Sequence, residues 1–402
     1  MRKKKKKVQM IGILTVGILF VAGSGLIGGC MGKKEALTLQ KSGEAEDAFQ
    51  KIEVNEKELT GKYYYEKLDK EKQKAYKEML QGIEKNQKEI YVHLADPGQV
   101  NRIFEFIMND FPEIFWCSGK AETTSYRQKK EGYSVFCPVY LYNEREKEQM
   151  RQDIERETKA CLDGFQVKTE DTEYEIIRYV YEYLIRTVDY AKDAKDSQNI
   201  YSALVRKQSV CAGYARATQY LLEKMGVFCT YVTGVTDGQP HAWNLVRCDN
   251  DYYYVDTTWG DPVFRQEEDE EKIPQEQKIQ YDYLCCNDEE LFRTHIPDKT
   301  VELPACTSLD KNYYVKTGRY YQRYDDERIR RQFREDIAGR SPVSVFKFAS
   351  KETYLEASKN MIDGMIKQAA GNLAKWYGLS RVQYSYQDDS ELYKITVYWQ
   401  YE

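Results

Sequence analysis

The sequence predicts an α+β protein whose central unit holds a cysteine-bearing helix followed by a strand hairpin carrying a histidine and an aspartate. Three observations predict it. Along 172–259 the order is helix, helix, then several strands, rather than a regular alternation. The stretch "CAGYARATQYLLEKMG" repeats apolar residues every three or four positions, from Cys211 to a glycine stop at Gly226. The stretch "HAWNLVRCDNDYYYVDTTW" holds two runs rich in β-branched and aromatic residues, joined by a turn sequence.

The chain of 402 residues has room for two or three domains, and its 42% hydrophobic and 31% charged composition is that of a globular protein. Tyrosine is abundant, with 35 residues. Its apolar ring and polar tip suit half-buried packing, although a sugar or peptide groove could use the same side chains. The first thirty residues are a separate object. "MRKKKKK" is a positive n-region, an uncharged apolar run follows, and "IGGC" places small residues before Cys30. That order reads as a secretory signal. The end of the run resembles a bacterial lipobox, which implies lipid attachment at Cys30 and removal of residues 1–29; a transmembrane anchor is the alternative. Both readings place the globular part outside the cytoplasm, at the membrane. Removal of residues 1–29 takes six positive charges and no negative one, moving the formal net charge from −5 to −11. An acidic mature chain argues against a nucleic-acid partner. Nine cysteines would remain beside Cys30, an odd number without C-x-x-C spacing, and export permits disulfides whose connectivity the sequence does not give.

In order along the chain, residues 31–58 are polar and aperiodic and read as a tether. A helical pattern starts at "YYYEKLDKEKQKAYKEMLQGIEK", and a second runs through "DPGQVNRIFEFIMND", closes near Pro112 and leads into an aromatic strand. "YSVFCPVYLY" reads as a strand and "EREKEQMRQDIERETKACL" as a charged amphipathic helix, giving an N-terminal α+β domain over 59–165. The central unit spans 170–300. It opens with a helix that sets Ile176, Ile177, Val180 and Leu184 on one face, with Thr172 as its cap. From 310 to 402, "SVFKFA", a long helical run over "TYLEASKNMIDGMIKQAAGNLAKWYG", "VQYSYQ" and "YKITVYW" predict a small C-terminal α+β domain.

Only three histidines exist. His93 and His295 have no companion motif and read as structural. His241 differs in its surroundings. If Asp249–Asn250 is a two-residue hairpin loop, Cys248 faces Asp251 and His241 faces Thr258. Asp256 then shares the sheet face of His241 as a diagonal neighbour. A carboxylate there would fix the ring's tautomer and stabilise imidazolium. Cys211, in the first helical turn, sits where backbone N–H groups lack intrahelical partners and the dipole favours an anion. That environment favours a thiolate, and the same N–H groups can hold an oxyanion. A lone cysteine or a lone His–Asp contact is more often structural. A cysteine at a helix start followed by His and Asp on a hairpin is a papain-type arrangement.

Together "SVCAGYARATQYLLEKMGV", "YVTGV", "HAWNLV" and "YYYVDTTWGDP" resemble the transglutaminase-like superfamily, in its bacterial secreted branch, over about residues 170–300. The resemblance implies a papain-like core with Cys211 as nucleophile, His241 as general acid and base, and Asp256 as orienting carboxylate. The chemistry implied is acyl transfer through a thioester, passed to an amine or to water. A peptide or protein is the expected substrate, with no cofactor and no metal. Gln198 and Tyr201 are candidates for the second oxyanion donor, and Trp243 and Trp259 for walls of the acyl site, with packing inside the sheet the competing role for both tryptophans. A cysteine protease or amidase, or a non-enzymatic peptide- or glycan-binding lipoprotein, stays open.

Overall fold

The computed structural model describes residues 49–128, 131–166, 172–261 and 279–401. Cys30, the signal segment and most of the expected tether lie outside them. Residues 49–58, expected within the tether, are anchored instead. Gln81 accepts from the Glu53 amide at 2.7 Å and donates to the Lys51 carbonyl at 3.0 Å, and Phe49 stacks on His93 at 3.7 Å. Backbone groups that gain partners this way keep a polar segment on the surface without a core of its own.

Helices of eight or more residues are labelled. The single helix expected from Tyr63 is broken: a turn over Tyr63–Glu66 stops, and α1 (Lys70–Glu84) restarts with Asp69 accepting from the Lys72 amide. β1 (Ile90–Val92) precedes α2 (Pro97–Asp110), which has Asp96 as N-cap and proline in its first turn. Residues 111–116 are a turn rather than a strand, with Phe111, Ile114, Phe115 and Trp116 buried. β2 (Cys117–Gln128) and β3 (Glu131–Tyr140) form a hairpin in a sheet of order β1-β3-β2. α3 (Glu144–Gly164) starts with a capping box between Asn143 and Glu146.

The central unit begins with α4 (Thr172–Thr187), which buries Ile176, Ile177, Val180 and Leu184 as its periodicity predicts. Two short parallel strands, β4 (Asp189–Tyr190) and β5 (Gln208–Ser209), lead into α5 (Cys211–Lys224). β6 (Cys229–Thr236), β7 (Gln239–Cys248), β8 (Asp251–Val255), β9 (Leu284–Cys286) and β10 (His295–Pro297) form an antiparallel sheet of order β10-β6-β7-β8-β9. α5 packs on β6 and β7. One apolar core runs from Leu59 through α4 and α5 to Cys285, so the N-terminal elements and the Cys211 helix are packed as one body.

A second core lies between β11 (Tyr320–Tyr321), β12 (Val343–Phe348) and β14 (Lys394–Trp399) and the helices α6 (Asp326–Ala338), α7 (Lys351–Asn360) and α8 (Ile366–Tyr377), with the exposed β13 (Tyr384–Asp389) at the sheet edge beside β14. The helical run expected over 353–378 is continuous in direction, but a π-helical turn at Met361–Met365 separates α7 from α8, and Gly378 ends it at φ 65°. No helix among the described residues is long and apolar enough to cross a membrane.

Many tyrosines pack, and their hydroxyls tie elements together. Tyr64 donates to the Tyr231 carbonyl at 2.7 Å, Tyr214 to Val188 at 2.5 Å and Tyr179 to Cys161 at 2.7 Å. Each ring supplies apolar area while its hydroxyl satisfies a distant backbone acceptor.

Candidate active site

Cys211 is the first residue of α5, after the N-cap Val210, whose apolar side chain accepts no hydrogen bond. The amides of Cys211 and Ala212 have no intrahelical acceptor and find no other one among the described residues. The approach to the helix is pinned. The Val210 amide donates to the Ser197 carbonyl at 3.1 Å, and so does the Ser209 hydroxyl at 2.6 Å. Gly213 is demanded by this closeness, since a Cβ there would lie 1.9 Å from Ser209 Oγ and 2.7 Å from the Ser197 carbonyl. Most of α5 is buried, whereas Cys211 at its head is half-buried.

The hairpin below it turns at Asp249–Asn250, both with positive φ (49° and 72°), and pairs Cys248 with Asp251 as the loop length predicts. The pairing does not continue to a His241–Thr258 pair. Its last member is Asn244↔Val255, because the Asp256 amide turns to the Tyr283 carbonyl at 3.0 Å. His241 is instead opposite Gly234 of β6. Asp256 still reaches it: His241 Nε2 and Asp256 Oδ2 are 2.6 Å apart, both groups buried. Asp256 Oδ1 accepts from the amides of Thr258 at 2.9 Å and Trp259 at 3.1 Å. His295 Nε2 also meets Asp256 Oδ2, at 3.0 Å.

These contacts set the charges. Burial is the largest influence on Asp256 and pushes its pKa up, but the His241 charge and the hydrogen bonds from both imidazoles outweigh it and hold the carboxyl well below the usual range. Burial likewise pulls His241 down. The Asp256 carboxylate, its hydrogen bond and the hydrogen-bonded Cys211 thiol together overcome this and raise the imidazole to about 10. Since Nε2 faces Asp256, the other ring nitrogen is the one left for Cys211. The ring therefore bridges sulfur and carboxylate as a cation.

The other candidates fall in different places. Trp243 is buried and stacks on His241 at 5.9 Å between centroids; Trp259 is buried and lies 6.1 Å from His241 and 4.9 Å from His295. Both are buried among the two imidazoles. Tyr201 turns to the N-terminal elements, with its hydroxyl 3.4 Å from Asp153 and its ring beside Phe115. Gln198 is exposed in the loop before the short helix Ile200–Leu204. Two further residues belong here. Tyr190 pairs with Ser209 in the β4–β5 ladder, and burial, with the nearby Cys211 and Asp256 charges, pushes its hydroxyl pKa up. Its only sequence signal was its place before the loop that feeds the helix. His295 could have been found only from the scarcity of histidine.

Among the described residues, two groups have ligand atoms close enough to hold a metal ion: His241, Asp256 and His295, and Glu173, Cys248 and Asp249. In the first the atoms already satisfy one another. In the second Glu173 accepts from the Asp249 amide at 2.8 Å, and Lys311 neutralises Asp249 at 2.5 Å. The nine described cysteines are thiols rather than disulfides.

The fold and the site define a class: an α+β protein with cysteine, histidine and aspartate brought together from a helix head and a sheet. Residues 163–257 match the model of the transglutaminase-like superfamily, and the chain carries a transglutaminase-like core. No curated protein matches the chain. Among solved structures it is similar to a TGase, at 12% identity and TM-score 0.25, over 38% of this chain and 47% of that one. It is also similar to a candidate cysteine protease from Cytophaga hutchinsonii, at 10% identity and TM-score 0.23, over 34% of this chain and 62% of that one. A third is menin, at 15% identity and TM-score 0.22, over 58% and 56%. The chain thus spans between about half and three-fifths of the length of these structures.

Proposed function

We propose that this chain is a membrane-anchored, extracytoplasmic cysteine enzyme that transfers or hydrolyses acyl groups from amide bonds of peptides or proteins. The observation that carries the reading is the His241 imidazole, bridging Asp256 at 2.6 Å and the Cys211 thiol, and raised to about 10. A cation held there, beside the sulfur, has a proton to give.

Cys211 sulfur attacks the amide carbon, and the oxygen takes up negative charge facing the unclaimed amides of Cys211 and Ala212. The carbon–nitrogen bond breaks as His241 gives its proton to the leaving amine, and a thioester remains. An amine or water then attacks the thioester, returns a proton to His241 and releases the sulfur. Asp256, saturated by N–H donors, stays charged throughout and keeps the ring aligned. The anchor rests on the sequence around Cys30, and a Cys30→Ala chain found in the soluble fraction rather than the membrane would support it.

A glutamine peptide, incubated with and without a labelled primary amine, tests the chemistry. Amine incorporation marks a transglutaminase, ammonia release alone a deamidase, and backbone cleavage a protease. Turnover that survives Cys211→Ala, or no turnover across a broad peptide panel together with an unreactive Cys211, overturns the reading in favour of a binding module.

A further inference from the structure

Asp256 Oδ2 has two imidazole neighbours, and only one of them faces Cys211. The second, His295, lies in β10, opposite Thr236 of β6, and is wholly buried. Its ring sits edge-on to Trp243 at 5.0 Å and against Trp259 and Tyr283 at 4.9 and 5.3 Å. Gly234 permits the crossing of β10: a Cβ there would lie 2.2 Å from the Ile296 carbonyl and 2.6 Å from the Trp243 ring. A buried histidine that merely satisfies a polar neighbour would be unremarked. This one lands on the oxygen that His241 uses.

We propose that His295 is a positioning residue of the site, which shares Asp256 Oδ2 with His241 and fixes the direction of the carboxylate through a hydrogen-bond chain running from Tyr283. This rests on the functional reading above, in which Asp256 aligns His241.

The proton positions follow from the partners. Asp256 is an acceptor, so His295 Nε2 carries a proton. Its Nδ1 lies 2.7 Å from Thr294 Oγ1. Thr294 Oγ1 in turn lies 3.2 Å from the Tyr283 hydroxyl and donates to the Leu291 carbonyl at 3.3 Å. The chain of contacts links Tyr283 through Thr294 and His295 to Asp256. His241 and His295 thus each bring a donor to the same carboxylate oxygen. With two donors on each oxygen, the carboxylate cannot rotate without breaking hydrogen bonds on both sides.

The test compares His295→Phe, His295→Gln and Thr294→Val in the full chain by two substrate-free readouts. These are the rate of Cys211 alkylation by iodoacetamide and the downfield proton resonance of His241 Nε2–H. His295→Phe is expected to slow Cys211 alkylation about tenfold and broaden the His241 resonance. His295→Gln, which retains an N–H donor, restores the rate to within about threefold, and Thr294→Val shifts both readouts in the same direction by less. Alkylation at the wild-type rate with an unchanged His241 resonance in His295→Phe overturns the proposal. So does faster alkylation of all thiols in both His295→Phe and Thr294→Val, which marks loosened packing alone. Failure to turn over any amide leaves both readouts intact, so the two readings fail separately.

Discussion

The hydroxyls of Thr218 and Thr257 meet at 3.0 Å, one on the cysteine helix and the other next to Asp256. Thr218 also donates to the Tyr214 carbonyl at 2.9 Å, so its oxygen is left to accept from Thr257. This buried contact fixes the distance between the helix carrying Cys211 and the turn carrying Asp256. Thr218→Val leaves the Thr257 hydroxyl without its partner and is expected to cost about 1–3 kcal/mol in chemical denaturation. The Thr218→Val, Thr257→Val pair removes both polar groups and should cost less than the sum of the single changes. Strict additivity would mean that the two hydroxyls do not interact.

Alkylation should single out Cys211. It is half-buried at a helix head, whereas Cys117, Cys161, Cys229, Cys286 and Cys306 are buried and burial pushes their thiols up, Cys117 and Cys161 to about 11. Iodoacetamide near neutral pH, followed by peptide mapping, is expected to label Cys211 at least about tenfold faster than these five. Equal labelling of all thiols would remove the case for a special sulfur.

What the sequence revealed and what it hid divide along range. The Asp249–Asn250 loop is local: two residues able to take positive φ between two strand patterns define the hairpin, and Cys248 does face Asp251. The helix of Cys211 is legible for the same reason, from spacing and a glycine stop at φ 82°. The end of β8 was not legible, because Asp256 leaves the ladder for the Tyr283 carbonyl, a partner 27 positions away. His295 was hidden likewise: it reaches Asp256 through a strand that joins the far edge of the sheet, 39 positions on. Trp243 shares the face of His241 by alternation, so its stacking was readable.

The His241–Asp256 pair predicts how stability follows pH. His241 is raised from 6.5 to about 10, so its contribution is full below about 6.5 and is lost as pH rises toward 10. Asp256 is depressed, so its contribution is present above about 3.8 and is lost as pH falls through its folded value. The advantage of the wild type over His241→Gln in denaturant midpoint should therefore be greatest between about pH 4 and 6.5 and shrink steadily toward pH 10. A difference that grows with pH across that range contradicts a charged His241.

Asp282 links the site to the C-terminal sheet. It is buried between the ammonium groups of Lys347, at 2.9 Å, and Lys394, and accepts from the Tyr314 hydroxyl at 3.2 Å. The two lysines come from β12 and β14, and the residue after Asp282 is Tyr283, whose carbonyl holds the Asp256 amide. Removing the carboxylate leaves two buried cations facing each other, so Asp282→Ala should cost about 3–5 kcal/mol. Replacing all three, as Asp282→Leu with Lys347→Met and Lys394→Met, removes the charges together and should recover most of that loss. Because the turn of Asp282 and Tyr283 also positions Asp256, Asp282→Ala is expected to slow Cys211 alkylation, while the triple variant returns it toward the wild-type rate. Denaturation of the three chains decides the point. A single Asp282→Ala change that costs under about 1 kcal/mol would show that the lysines find water when the carboxylate is gone and that no buried charge joins the two parts.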